Sequence, residues 1–158
     1  MEGRSEVINQ VLVHLFNELL RLEENTLRQE GVKGLSIREV HIIEAVCGAG
    51  EDSNHMSALA AQLRVTVGSL TVAVDTLVRK GYLERRRMDS DRRRMHILPT
   101  AAAWTVENVH RAYHRRMTEA VMEAVPEEQM DVFIQGLTAV NNYFYNRDMT
   151  TTGEEADL

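Results

Sequence analysis

Three histidines in this sequence stand where their imidazoles could act together. His110 and His114 are four residues apart in a segment with helical periodicity, so they share one face of a helix. His41 lies on an earlier predicted helix. Such imidazoles can be hydrogen-bonded core residues, can line a ligand pocket, or can bind zinc together with a carboxylate such as Glu24. The sequence leaves these three interpretations open.

A second chemical feature is a run of cations in the middle of the chain. From Arg79 to Arg94 there are eight Lys or Arg residues and three acidic residues, a net charge of +5. The whole chain carries −6, so the remainder carries −11. A basic segment on an acidic body suits phosphate binding, because its cations release counterions from DNA. In a basic hairpin of the winged-helix kind, Asp91 can bridge Arg93 and fix its direction, so that one arginine enters the narrow minor groove.

The elements before these cations predict a helix-turn-helix. Residues 56–63 are a short predicted helix, residues 64–65 form the turn, and Thr66 caps a second helix that ends at Gly81. The apolar face of the second helix has helical spacing and consists of Leu70, Ala73, Val74 and Leu77. This second helix is the one expected to read DNA.

A basic hairpin follows the two helices. Residues 82–87 and 94–98 are predicted strands, and residues 88–93 are a polar hairpin tip. A helix-turn-helix followed by such a hairpin is a winged helix. The fold class is therefore mainly α, with a small β-wing and a helical dimerisation domain.

The residues predicted to contact DNA point away from the apolar face or lie on the wing. They are Thr66, Gly68, Ser69, Thr71, Val72, Thr76, Arg87, Arg92 and Arg93. The hydroxyls suit phosphates and base edges, and Val72 suits a thymine methyl group. No outward arginine occurs in the first two turns of the reading helix, which favours an A/T-rich operator.

Long helices are predicted on both sides of the winged helix. Residues 5–30 carry two apolar stripes, and a helix that is apolar on two sides needs two surfaces to pack on. Ser36 and Glu39 form a capping box for the next helix. Thr100 is expected to cap a helix that runs to about residue 124, and Pro126 to begin the last one.

This pattern divides the chain into regions. Residues 1–35 and 100–147 are predicted to form a helical dimerisation region, and residues 36–99 the DNA-binding region. Residues 148–158 have the composition of a disordered tail. The sequence thus predicts a homodimer with two winged-helix heads on double-stranded DNA.

The segments Lys80–Arg85 and Asp91–Arg93 within this arrangement resemble those of the MarR family of dimeric winged-helix regulators. The resemblance extends over about residues 5–146. It departs from the family pattern at Pro99-Thr100, where the family has Leu-Thr, and at Ala103, where it has glycine. Within the family the chain most resembles the FabT-like repressors of fatty-acid synthesis genes, in residues 17–24, 38–44 and 65–69 and in the pair His110 and His114.

The resemblance implies a transcriptional repressor whose corepressor is an acyl chain carried on acyl carrier protein. The expected pocket consists of Leu19, Leu22, His41, His110, Tyr113, His114 and Met117. Arg111, Arg115 and Arg116 are candidates for contacting the acidic carrier. The alternative is a zinc-responsive regulator of the same family that uses His41, His110 and His114.

Several functional classes are disfavoured. No grouping of Ser, His and Asp or of Cys and His resembles a catalytic site, and no phosphate-binding loop is present, so neither enzyme activity nor a cofactor is expected. No apolar run approaches the roughly 18 residues of a membrane span. The single cysteine, Cys47, excludes an internal disulfide and fits the cytoplasm. It lies near a helix C-terminus, where the dipole disfavours a thiolate, so redox sensing is not expected.

Overall fold

A computed structural model describes the backbone of residues 2–88 and 91–154 and the side chains of residues 3–87 and 94–146. In chain order its elements are α1 (Glu2–Gln29), α2 (Ile37–Gly48), α3 (Met56–Leu63), α4 (Val67–Arg79), β1 (Leu83–Met88), β2 (Asp91–Pro99), α5 (Ala101–Ala124) and α6 (Glu127–Glu154). The chain divides into two compact units, residues 1–114 and 115–158, with the boundary inside α5. The mainly α winged-helix fold predicted from the sequence is confirmed.

The first two helices begin and end where local chemistry dictates. After α1, Gly31 adopts a positive φ of 85°, and Val32 N–H donates to Leu27 O, a C-terminal arrangement that glycine permits. The predicted capping box of α2 is present: Glu39 N–H donates to Ser36 Oγ, and Ser36 N–H donates to the Glu39 carboxylate at 2.8 Å. These bonds set the start of α2 at Ile37.

The core of residues 1–114 lies around α2, α3, α4 and the wing. Its largest fully buried aliphatic side chains are Ile43, Leu59, Leu70, Leu77, Leu83 and Ile97. The turn between α3 and α4 is tight because Arg64 takes a left-handed conformation, with φ 53°. The predicted apolar face of α4 is confirmed, since Leu70, Val74 and Leu77 are buried and Ala73 packs against them.

The wing is longer than the sequence predicts. β1 and β2 pair antiparallel from Leu83↔Pro99 to Met88↔Asp91, with a register shift after Arg87. The predicted hairpin tip at 88–93 is therefore wrong at both ends, because backbone pairing continues through polar residues and leaves only residues 89–90 between the strands. Those two residues lie outside the described part of the chain. Arg92 and Arg93 belong to β2 by their backbone, and their side chains also lie outside it.

The two C-terminal helices follow the predicted boundaries at their starts. Thr100 precedes α5, where Ala103 N–H donates to its Oγ1 at 3.4 Å, and Pro126 precedes α6. The helix α6 continues to Glu154, into the segment from residue 148 for which the sequence predicts a disordered tail, and that prediction stays a prediction. A helix satisfies its backbone internally and can extend through polar residues. Residues 155–158 lie outside the described part.

In the residues that the structure describes, no single helix is long and apolar enough to cross a membrane, and only the bent pair α3 and α4 reaches that length and composition together.

Candidate nucleic-acid interface and histidine cluster

The reading helix α4 presents a mixed polar and apolar surface to solvent. Thr66, Gly68 and Ser69 at its N-terminus are exposed, and Val72 is 68% exposed. Covering the Val72 side chain with a thymine methyl group or another apolar surface would remove apolar area from water, which is favourable. The placement agrees with the predicted contacts of these residues with DNA, which remain a prediction.

The hydroxyls on this helix are oriented by the helix itself. Thr66 Oγ1 caps Ser69 N–H at 3.1 Å, while Thr71 and Thr76 donate to the carbonyl oxygens four residues earlier. Their protons are thus engaged, and their oxygens keep the capacity to accept. Thr71 and Thr76 are only partly exposed, so they lie at the edge of the surface around Val72.

Sequence reasoning missed an arginine beside the reading helix. Arg38, in the first turn of α2, lines a groove of about 400 Å³ together with Ser69, Val72 and Thr76. Its neighbour Glu39 is held by Lys80, whose Nζ also donates to Gly34 O at 2.7 Å. The capping box in the sequence predicts where α2 begins, but it does not predict that Arg38 lies beside α4.

The cations near the root of the wing are largely paired with acids. Arg85 forms an ion pair with Asp75 at 2.6 Å, and Arg86 with Glu84 at 2.5 Å. Arg87 is exposed. Asp75 and Glu84 therefore offset part of the positive charge near the root of the wing.

A buried polar pair anchors the root of the wing. His96 on β2 and Asn54 are 5% and 4% exposed, and the imidazole Nδ1 lies 2.5 Å from Asn54 Oδ1. Ile97 N–H also donates to Asn54 O at 2.8 Å. At the other end of the strand, Thr100 Oγ1 donates to Gly81 O at 2.8 Å. These bonds fix the direction in which β2 leaves the core.

The three predicted histidines converge on a carboxylate that the sequence analysis did not choose. Glu23 is 2% exposed, and its Oε1 lies 2.5 Å from His110 Nε2, 3.2 Å from His41 Nε2 and 3.8 Å from His114 Nε2. Glu24, proposed as the fourth ligand, is about half exposed and pairs with Arg28. The suggestion of Glu24 is wrong because successive residues on a helix point about 100° apart.

This histidine cluster, comprising Glu23, His41, His110 and His114, adjoins an open cleft. The cleft has a volume of about 790 Å³ and is lined by His41, Glu44, Ala45, Gly48, Gln62, Leu63, Glu107, Arg111 and His114. The buried Oε2 of Glu107 has no hydrogen-bond partner among the described residues. The cleft is thus lined by charged as well as apolar side chains, and of the residues expected to form the pocket it includes His41 and His114.

The structure brings together only part of the predicted acyl pocket. The Tyr113 ring packs edge-on against His114 at 5.3 Å between centroids, and its hydroxyl donates to Leu19 O at 3.4 Å. Burial, with Glu23 nearby, raises the pKa of Tyr113. Leu22 is 47% exposed, and Met117 belongs to the second unit and is 36% exposed.

Two of the arginines proposed to bind an acidic carrier already have acidic partners. Arg111 donates to Glu107 at 2.7 Å, and Arg115 lies 3.9 Å from Glu119. This pairing weakens the case for a basic patch.

Cys47 has the properties of an unreactive thiol. Burial, reinforced by the nearby carboxylate of Glu107, raises its pKa to about 11. A thiol with so high a pKa is almost entirely protonated at neutral pH and is a poor nucleophile. The structure therefore agrees with the expectation that Cys47 is not a redox sensor.

Comparison with known proteins agrees with this architecture. A family model described as the MarR family matches residues 33–94. The crystal structure of Streptococcus pneumoniae FabT in complex with DNA is 32% identical to the chain, with a TM-score of 0.78, and the match covers 90% of this chain and 98% of that one. The S. aureus MepR–DNA complex is 16% identical, with a TM-score of 0.68 and coverage of 87% and 97%. That second likeness shows the fold alone.

No curated protein matches the chain. The likeness to FabT, however, exceeds 30% identity over nine-tenths of the chain, and the family model falls on the reading head and wing. The chain belongs to the MarR family of winged helix-turn-helix proteins, which are DNA-binding transcription regulators and not enzymes, as the sequence predicted.

Proposed function

We propose that the protein is a homodimeric repressor that occupies a pseudopalindromic operator, with half-sites roughly 34–36 Å apart. The observation that carries this proposal is the exposed surface of α4 around Val72, with Arg38 on one side and the basic wing following it in the chain. A repressor of this kind acts in the cytoplasm, where its operator lies.

Exposed apolar side chains on α1 and on α6 support the homodimer. On α1 they include Val7, Ile8, Val11, Phe16 and Leu20, each 43–58% exposed. On α6 they include Val132, Ile134, Leu137, Tyr143 and Phe144, each 48–68% exposed. Full burial of one such side chain contributes about 1.5–3 kcal/mol to the free energy of association. A dimer in which a second copy covers these side chains would therefore be strongly stabilised. Light scattering at micromolar concentration measures this directly, and a monomer that bound a palindrome tightly would contradict the proposal.

The operator is tested by capturing genomic fragments on the purified protein and measuring affinity by fluorescence anisotropy at fixed salt. Arg93→Ala should weaken operator binding by roughly 1–3 kcal/mol if the arginine enters the groove, and should leave folding intact. The matched control is Arg115→Ala, which removes an arginine from α5, outside the DNA-binding region. If Arg93→Ala and the unmodified protein bind the operator with equal affinity, the proposed contact between the wing and the operator is contradicted.

The regulated genes proposed are those of fatty-acid synthesis, with an acyl chain on acyl carrier protein as corepressor. The resemblance to FabT-like repressors and the 32% identity with FabT support this assignment. The cleft beside His41 and His114 offers a volume suited to a ligand. A DNA-shift titration with loaded and unloaded carrier protein tests it. If operator affinity does not change when the loaded carrier protein is added, the proposed corepressor is contradicted.

A further inference from the structure

We propose that Glu23, His41, His110 and His114 form a binding site for a divalent transition metal, with zinc as the probe of choice. The inference deepens the proposed function by assigning a ligand to the histidine cluster. Metal binding itself does not depend on the operator or on the acyl corepressor.

The potential ligand atoms of the cluster lie close together. All three imidazoles turn the same nitrogen, Nε2, toward Glu23 Oε1, at 2.5, 3.2 and 3.8 Å, and the Nε2 atoms of His110 and His114 are 3.0 Å apart. In a tetrahedral zinc site with bonds of about 2.0 Å, neighbouring ligand atoms are about 3.3 Å apart. The observed distances lie on either side of this value, and Glu23, His41 and His110 each offer a ligand atom within 4.8 Å of the other two.

Two close contacts of His110 compete for the same proton. A neutral imidazole carries one N–H, and the Nε2 of His110 faces both a carboxylate oxygen and the Nε2 of His114. One proton cannot satisfy both contacts fully. A metal ion accepts all of these lone pairs at once, because each ligand points its lone pair at the same centre.

Burial and charge also favour a cation in the cluster. Glu23 and His110 are 2% and 1% exposed, and a buried carboxylate needs compensation by hydrogen bonds or a cation. His41 and His114 are only partly buried and line the cleft, which gives an ion a path from solvent.

The surroundings of His110 also include a second carboxylate. Its other ring nitrogen, Nδ1, lies 3.9 Å from the carboxylate of Glu44, an ion-pair distance that is longer than a hydrogen bond. Histidines that bind metals commonly direct their second nitrogen to a carboxylate, which fixes the tautomer and the ring orientation. Three imidazoles and one carboxylate are ligands that suit zinc and also cobalt and nickel. Because manganese has the lowest affinity of the divalent first-row metals for such ligands, zinc is expected to bind more tightly than manganese.

The test is a zinc titration of chelator-stripped protein in competition with a chromophoric chelator, without DNA. One zinc per chain is expected. Loss of a residue that contacts a metal ligand without binding the metal itself costs roughly 10–100-fold in affinity, and this is the effect expected for Glu44→Gln. Glu23→Gln and His114→Gln remove a ligand, so each should weaken zinc binding by more than about 100-fold. Glu24→Gln and His14→Gln are the matched controls, because both side chains lie exposed on the same helix as Glu23.

Circular dichroism of each variant reports folding, and His114→Gln keeps the test decisive if Glu23→Gln unfolds, since His114 is about one-third exposed. Zinc affinity that is the same in Glu23→Gln, His114→Gln and the controls would overturn the site. Operator affinity measured on the same samples separates the two proposals. Zinc binding without operator binding would refute the repressor alone, and operator binding without zinc binding would refute the metal site alone.

Discussion

The buried pair of Asn54 and His96 offers a quantitative test of how the wing is held. Asn54→Leu keeps the shape of the side chain but removes the oxygen that lies 2.5 Å from the imidazole. His96 is 5% exposed, and its Nε2 already has no partner among the described residues. Leaving its Nδ1 unpaired as well should therefore destabilise the fold by about 1–3 kcal/mol.

The reverse change and the double change complete the cycle. His96→Phe should cost a similar amount, because it leaves Asn54 Oδ1 buried without its donor. The double variant removes both polar partners, and such replacements can be nearly neutral. Its destabilisation should therefore be clearly smaller than the sum of the two single values.

Urea unfolding followed by circular dichroism gives these free energies, and thermal melts should fall by roughly 2–4 °C for each kcal/mol in a chain of this size. Ala102→Ser, at an exposed position outside the pair, serves as a control that should change stability little. If the double variant loses the full sum of the single values, Asn54 and His96 act independently and the argument for a coupled wing anchor is refuted.

Three further predictions follow from individual side chains. Leu77→Ala empties a fully buried position in α4 and should destabilise the protein by about 2–5 kcal/mol in urea unfolding, whereas a loss below 1 kcal/mol would show that the core collapses around the gap. Cys47, with a pKa of about 11, should react with iodoacetamide far more slowly in the folded protein than in urea at pH 8, and equal rates would contradict a protonated, partly buried thiol. Burial acts to raise the pKa of Glu39, but hydrogen bonds from Lys80 and Ser36 prevail and lower it. The contribution of Glu39 to stability should therefore be present above about pH 4.5 and lost as the pH falls further. Lys80→Met should flatten that part of the curve of unfolding free energy against pH.

The sequence could predict the reading head because its signals are local. Thr66 as a cap, Gly81 as a stop and the capping box at Ser36 each act within a few residues, and each lies where it was expected. The predicted apolar face of α4 is buried for the same reason, since helical spacing alone decides which side chains share a face.

The parts that could not be predicted depend on contacts between distant segments. The choice between Glu23 and Glu24 depends on how α1 is rotated about its axis. That rotation is set by contacts with His41 and His110, which follow Glu23 by 18 and 87 residues in the chain. The extent of β2 depends on pairing with β1, and the place of Arg38 depends on how α2 packs beside α4. No spacing within one segment contains that information.

The position of α2 has a consequence for how a change at the histidine cluster could reach the reading helix. Arg38 beside the reading helix and His41 in the histidine cluster are three residues apart on α2, and both line a small cavity of about 160 Å³ against Leu70. A displacement of α2 at His41 would move Arg38 against Ser69 without passing through the wing. The helix α2 therefore offers a connection between the histidine cluster and the surface of α4 that consists of a single turn of helix.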